Sequence, residues 1–306
     1  MPQYALGDYV QFLVSGLSTG SIYVLIALGL ITIYNVTSVI NLAQGEFVML
    51  GAMLAVTLES MGLPLTAASA VAVLAAMAVG VGVHRLTIQP ARHAPDVTLI
   101  IITIGTAIVL RGLALVAWGT TPQALPEFTP GPPLHVLGAV LSRQRLWIMG
   151  TAGLTLILLY LFLERTLLGK AVRACSVNRQ AAQIVGIDVT RMGLLAYALG
   201  AGLAAVGGIV IAPLTLVSYD MGLSLGLKGF VVAIMGGLVS APAAVAGGLL
   251  LGVLESFASG LLSSGVKNAL AYLVLFAVLL ARTGPLSATG ARLGLRRLAA
   301  RTRRRA

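Results

Sequence analysis

Apolar residues in this chain come in long runs separated by short polar breaks. An α-helix needs about twenty apolar residues to cross the roughly 30 Å hydrocarbon core of a bilayer. Runs near that length cover about Val10 to Tyr34, Leu65 to Val83, Val97 to Trp118, Leu146 to Leu163 and Met192 to Ala212. Each predicts a membrane-spanning helix, and the one from Val97 carries Arg111 within it. A last run, about Val266 to Leu280, is stopped by Arg282 and Gly284-Pro285. Three apolar pieces are shorter. Phe47 to Leu58 would be only about 18 Å long as a helix. Gly226 to Val239 and Ala243 to Leu254 are split by Ser240-Ala241-Pro242. The polar segment Gly119 to Arg145 carries Pro122, Pro126, Pro130, Pro132 and Pro133, and predicts an extramembrane loop. The expected fold class is therefore all-α: a polytopic transmembrane helical bundle of about 8–9 spans with interrupted helices. Residues 1–285 form the membrane domain, and residues 286–306 form a basic tail.

Composition agrees with lipid as the main solvent. Apolar residues make up 58% of the 306 residues, charged residues 9%, and the mean hydropathy is +1.00. A soluble domain of this size carries a charged fraction of roughly 25%. The thirty-six glycines sit inside apolar runs without a period. Gly16-x-x-x-Gly20, Gly222-x-x-x-Gly226 and Gly248-x-x-x-Gly252 fit close helix crossings, which membrane helices build from small residues. The net charge of +11 reflects topology and does not point to a nucleic-acid partner. Arg85 and Arg92 mark one loop as cytoplasmic, five basic residues between Arg165 and Arg191 mark another, and seven arginines from Arg292 to Arg305 mark the C-terminus. The N-terminus and the proline-rich loop then lie outside, with Arg143 and Arg145 as exceptions. The first run lacks a basic n-region and a small-residue cleavage site, so it reads as a retained span. The single cysteine, Cys175, reads as a small buried or interfacial thiol.

To span, the Phe47 piece must recruit residues before it, including Asn41, Gln44, Gly45 and Glu46. Polar groups at that depth are costly unless they face protein or a watered cavity, so a short broken segment points to a translocation pathway. The competing reading is a cytoplasmic turn with a solvated Glu46. A second interruption is expected at Gly226 to Gly248, around Gly236 and Gly237. Lys228 and Glu255 flank that region; either could lie within the membrane or snorkel to an interface, and snorkelling is the expectation.

No catalytic constellation and no metal-ligand spacing is present; His84, His93 and His135 read as loop residues. No G-x-x-x-x-G-K-[ST] phosphate loop occurs either, so ATP-driven transport would need its nucleotide site on another subunit. That directs attention to the hydrophilic stretch 164–191. From Ser176 to Val185, Val177, Ala181, Ile184 and Val185 share one helical face, and Arg179, Gln180 and Gln183 the other. Ser176 or Asn178 suits its start and Gly186 its end. It reads either as a docking element for a partner or as an interfacial helix on anionic lipid.

Ala181-Ala182-x-x-x-Gly186 resembles the core of the coupling loop by which ABC-importer permeases dock on their ATPases. Gly20-Ser21-Ile22-Tyr23 and Ile40-Asn41-Leu42-Ala43-Gln44-Gly45-Glu46 resemble the N-terminal signature of branched-chain amino acid permeases of the LivH-like type. Lys228-Gly229-Phe230, Met235-Gly236-Gly237-Leu238 and Gly247-Gly248-Leu249-Leu250-Leu251-Gly252 resemble the C-terminal one. The match runs in order from about Gly16 to Gly284. The chain departs from the wider pattern at Gln180, where many ABC importers have glutamate, and in its arginine-rich tail. The resemblance implies a bacterial inner-membrane importer. Its parts would be this permease, a second similar permease, two cytoplasmic ATPases that bind ATP, and a periplasmic substrate-binding protein. It also implies that Arg179, Ala181, Ala182 and Gly186 couple to the ATPase, and that the substrates are leucine, isoleucine, valine or related amino acids. A stand-alone transporter driven by protons or sodium through Glu46 is the alternative.

Overall fold

The computed structural model describes residues 6–136, 138–261 and 266–283. Among the described residues, six helices are long and apolar enough to cross a membrane. They are α1 (Leu6–Thr37), α3 (Leu65–Val83, continued by a π-helical turn to Ile88), α4 (Asp96–Trp118), α5 (Arg143–Arg165), α8 (Val189–Ile211) and α10 (Ala241–Leu261). Shorter helices are α2 (Gln44–Ser60), α9 (Met221–Met235) and α11 (Val266–Thr283). Outside the bundle lie α6 (Leu167–Val177) and α7 (Arg179–Ile184).

Burial separates these helices into two layers. The helices α1 and α8 are buried along most of their length, and so is α2. The helices α4 and α5 keep most of their apolar side chains on the outside, as lipid-facing helices do. Glycines set the spacing of the inner layer. Gly16 and Gly20 of α1 meet Gly252 and Gly248 of α10, and a Cβ added at Gly20 would stand 2.7 Å from the Gly248 carbonyl oxygen. Backbones this close gain dispersion where lipid offers no hydrophobic drive for helices to associate. Gly20→Val is expected to cost about 1–3 kcal/mol by overpacking and to lower the unfolding midpoint in detergent by about 2–10 °C. A midpoint unmoved by the substitution would show that this crossing is not tight.

Several expectations are corrected. The proline-rich segment is not all loop: β1 (Leu134–Val136) and β2 (Ala139–Leu141) form an antiparallel hairpin within it. Gln144, fully buried, ties this segment down by accepting from Phe128 N and donating to the Val210 carbonyl at 2.9 Å. Arg143 and Arg145 lie in the first turn of α5, not in the loop. The piece expected at Ala243 to Leu254 extends into the 21-residue α10, because the break at Gly236–Ser240 is a tight turn that ends before it. His84 is not a loop residue. It is buried at the end of α3 against Tyr197, with ring centroids 5.1 Å apart. The tail 286–306 lies outside the described residues.

Candidate functional site

The chain reverses after α1 and re-enters the bundle before α2 begins. Ser38 adopts φ +59, and its amide donates to the Tyr34 carbonyl at 2.7 Å. The extended segment that follows is held inside: Leu42 N donates to Thr103 Oγ1 at 3.2 Å, and that hydroxyl reaches the Ile40 carbonyl at 3.3 Å. Thr103 lies seven residues into α4, about 10 Å from its start. Asn41 Oδ1 accepts from Ala43 N at 3.2 Å, and α2 starts at Gln44. The short helix thus begins within the membrane domain, and the polar residues expected there are recruited. Asn41, Gln44 and Glu46 are each at most 1% exposed. The solvated-turn reading of Glu46 does not hold.

A second helix also begins inside. The N-terminal turns of α9 meet α2 where Gly222 and Gly226 pack on Gly45; a Cβ at Gly222 would stand 2.5 Å from the Gly45 carbonyl oxygen. The interruption facing α2 is therefore Thr215–Asp220, before α9. Gly236 and Gly237, expected beside this site, instead form the turn after α9, with Gly237 at φ +72.

Between α1, α2, α4 and α9 lies a cavity of about 260 Å³. Asn41, Gln44, Gly45, Glu46 and Arg111 line it together with apolar residues that include Leu30, Ile104, Ile108, Leu227 and Phe230. Arg111 forms an ion pair with Glu46. The role of Arg111 was not assigned from the sequence, although an arginine inside an apolar span is itself the signal for an intramembrane partner. The pairing cancels two charges, each of which would be prohibitive alone in hydrocarbon. Four polar atoms here have no protein partner: Asn41 Nδ2, Gln44 Oε1, Glu46 Oε2 and Arg111 Nε. Gln44 is fixed by its other amide atom, which donates to the Gly200 carbonyl at 2.9 Å. Ile104, Ile108, Leu223 and Leu227 line the cavity and are 37–64% exposed, so it opens on the flank of the chain between α4 and α9.

Lys228 and Glu255 do not snorkel. They are 4% and 0% exposed, and Lys228 Nζ lies 3.1 Å from both carboxylate oxygens of Glu255. Tyr23 Oη donates to Glu255 Oε2 at 2.8 Å and accepts from Lys228 Nζ at 3.2 Å. This cluster joins α1, α9 and α10.

The hydrophilic stretch 164–191 folds into two short helices. Asn178 caps α7 by accepting from Ala181 N at 2.9 Å, and Gly186 follows it at φ +88, a conformation that favours glycine. Arg179, Ala181 and Gly186 are exposed. Ala182 is buried with Val36, Val172, Cys175 and Met192, so it faces inward and not toward a docking partner. The exposed apolar surface consists of Val177, Ile184 and Val185, each at least 75% exposed. Cys175 is a free buried thiol whose ionisation is pushed up by burial, in keeping with a packing role. Among the described residues no group of His, Cys, Asp or Glu could hold a metal ion.

Residues 12–282 match the family model described as "Branched-chain amino acid transport system / permease component". The chain is 33% identical over 288 residues to the high-affinity branched-chain amino acid transport system permease protein BraD of Pseudomonas aeruginosa, covering 90% of this chain and 94% of that one. It is 31% identical to the corresponding protein LivH of Escherichia coli over 288 residues, 89% of this chain and 93% of that one. It is 29% identical to the probable LivH of Methanocaldococcus jannaschii over 255 residues, 80% and 79% of the two chains. No solved structure is significantly similar. With apolar spans, a polar intramembrane cavity and this match over most of its length, the chain belongs to the permease-component family of branched-chain amino acid transport systems.

Proposed function

We propose that this chain is one permease subunit of an ABC importer in the bacterial inner membrane, carrying branched-chain or related amino acids. The observation that carries this reading is the cavity where α2 and α9 both begin, lined by Asn41, Gln44, Gly45, Glu46 and Arg111. Helices that start within the membrane beside polar groups are the usual construction of a solute pathway. A second, homologous permease covers the open flank between α4 and α9 and completes the passage. Two cytoplasmic ATPases bind the ATP, and a periplasmic binding protein delivers the solute. The end of the bundle carrying Arg85, Arg92 and the 164–191 stretch faces the cytoplasm, as does the C-terminus. The exposed apolar surface around α7 docks on an ATPase. Movement of that surface switches the permease pair between outward- and inward-facing states. The relatives are named as components of amino acid transport systems, which does not favour a stand-alone ion-coupled carrier.

The test is uptake by the assembled importer carrying Asn41→Leu or Glu46→Ala. Each variant is expected to insert and to assemble with the ATPases, and to lose about tenfold or more of its uptake rate. Uptake kinetics indistinguishable from the parent in both would remove the pathway from this cavity.

A further inference from the structure

We infer that the Glu46–Arg111 ion pair is an exchangeable recognition site for a zwitterion, with Arg111 taking the carboxylate of the solute and Glu46 its ammonium group. This rests on the reading of the cavity as the solute pathway. It goes further by assigning the permease its own subsite, apart from any delivery protein.

Charge balance favours a zwitterion. The pair is neutral while Glu46 and Arg111 face each other, and it stays neutral when a zwitterion inserts between them. A free amine or a free carboxylate would leave one uncompensated charge at this depth, which is costly. The second observation is spare bonding capacity. Glu46 binds Arg111 through Oε1 and keeps Oε2 unpartnered, while Arg111 keeps Nε unpartnered. Asn41 uses Oδ1 on its own backbone turn and keeps the donor Nδ2, which suits a carboxylate. Together with Gln44 Oε1, two acceptors and two donors thus remain on the wall of one cavity, and buried polar atoms without partners are uncommon unless something else satisfies them. The third observation is the remainder of the lining. Leu30, Ile108 and Phe230 offer an apolar surface, and about 260 Å³ falls below the roughly 300–1,000 Å³ of sites for drug-sized molecules. The cavity suits a small zwitterion with an apolar side chain.

The test uses the permease pair assembled with its ATPases in lipid nanodiscs, without the binding protein. Equilibrium binding of radiolabelled leucine is competed with two analogues. One is the amine left when leucine loses its carboxylate; the other is the acid left when it loses its ammonium group. Leucine is expected to bind about tenfold or more tighter than either. Arg111→Gln should weaken leucine and erase its advantage over the amine, and Glu46→Gln should do the same relative to the acid. Arg111→Lys keeps the charge, and it should bind leucine more weakly while retaining the preference over the amine. Equal affinity for leucine and both analogues in the parent complex overturns the subsite, whether or not any variant folds. If variant uptake is lost while leucine discrimination is unchanged, the subsite falls and the pathway stands. If Asn41→Leu and Glu46→Ala both transport like the parent, subsite and pathway fall together.

Discussion

Replacing Glu255 with alanine is expected to lower the unfolding midpoint of the purified protein by on the order of 10 °C. Glu255 is paired with Lys228, and both are buried with Tyr23 between α1, α9 and α10. Removing one partner of such a pair strands the other charge and costs about 3–5 kcal/mol. The sign of a second comparison separates charge stranding from mere loss of volume. Substituting the whole cluster by Tyr23→Phe, Lys228→Met and Glu255→Met removes both charges and should recover most of the lost stability. If the triple variant melts as low as Glu255→Ala, the cluster matters through its shape and not through its charges. The cluster also bears on the cavity. Lys228 stands two residues beyond Gly226, on the helix whose first turns pack against Gly45. Releasing α9 would therefore disturb one wall of the solute site.

The variant Ile184→Glu with Val185→Glu is expected to insert and fold normally yet to bind its ATPase at least about thirtyfold more weakly and to lose ATP-driven uptake. Both side chains project outward at 86% and 75% exposure, so changing them removes little packing among the described residues. A hot-spot residue at the centre of a protein interface costs about 2 kcal/mol or more when lost, and two added carboxylates would have to be desolvated on docking as well. Ala182→Arg is a different experiment. Ala182 packs inward on Val36 and Cys175, so that variant should damage folding before it affects docking. If the double variant assembles and transports normally but loses affinity for anionic vesicles, α7 is an element of the lipid surface and not the coupling contact.

Much of this was legible in the sequence, and what was missed has a physical pattern. Span positions follow from run length, because lipid demands helices of fixed length, and α3 runs from Leu65 to Val83 as the apolar run predicts. The three Gly-x-x-x-Gly motifs all mark close crossings, since only a residue without a Cβ lets backbones meet. Burial of Asn41, Gln44 and Glu46 was readable because a twelve-residue apolar piece is too short to span. What could not be read was pairing across the fold. Arg111 and Glu46 are 65 residues apart, and Lys228 and Tyr23 are 205 apart, with no local signal linking them. Snorkelling was the wrong expectation for Lys228 because its partners lie on other helices. The interruption facing α2 was misplaced for a related reason: Thr215–Asp220 looks like an ordinary connector until α9 is seen to begin beside Gly45. The inward face of Ala182 was hidden in the same way, since a six-residue helix has too short a period to reveal which side packs.

Vesicles containing this chain with its permease partner, ATPases and binding protein should concentrate leucine only when ATP is supplied on the ATPase side, whereas vesicles containing this chain alone should concentrate none under any ion gradient. Accumulation by the chain alone, driven by protons or sodium without nucleotide, would contradict the reading of it as a passage that other subunits must power.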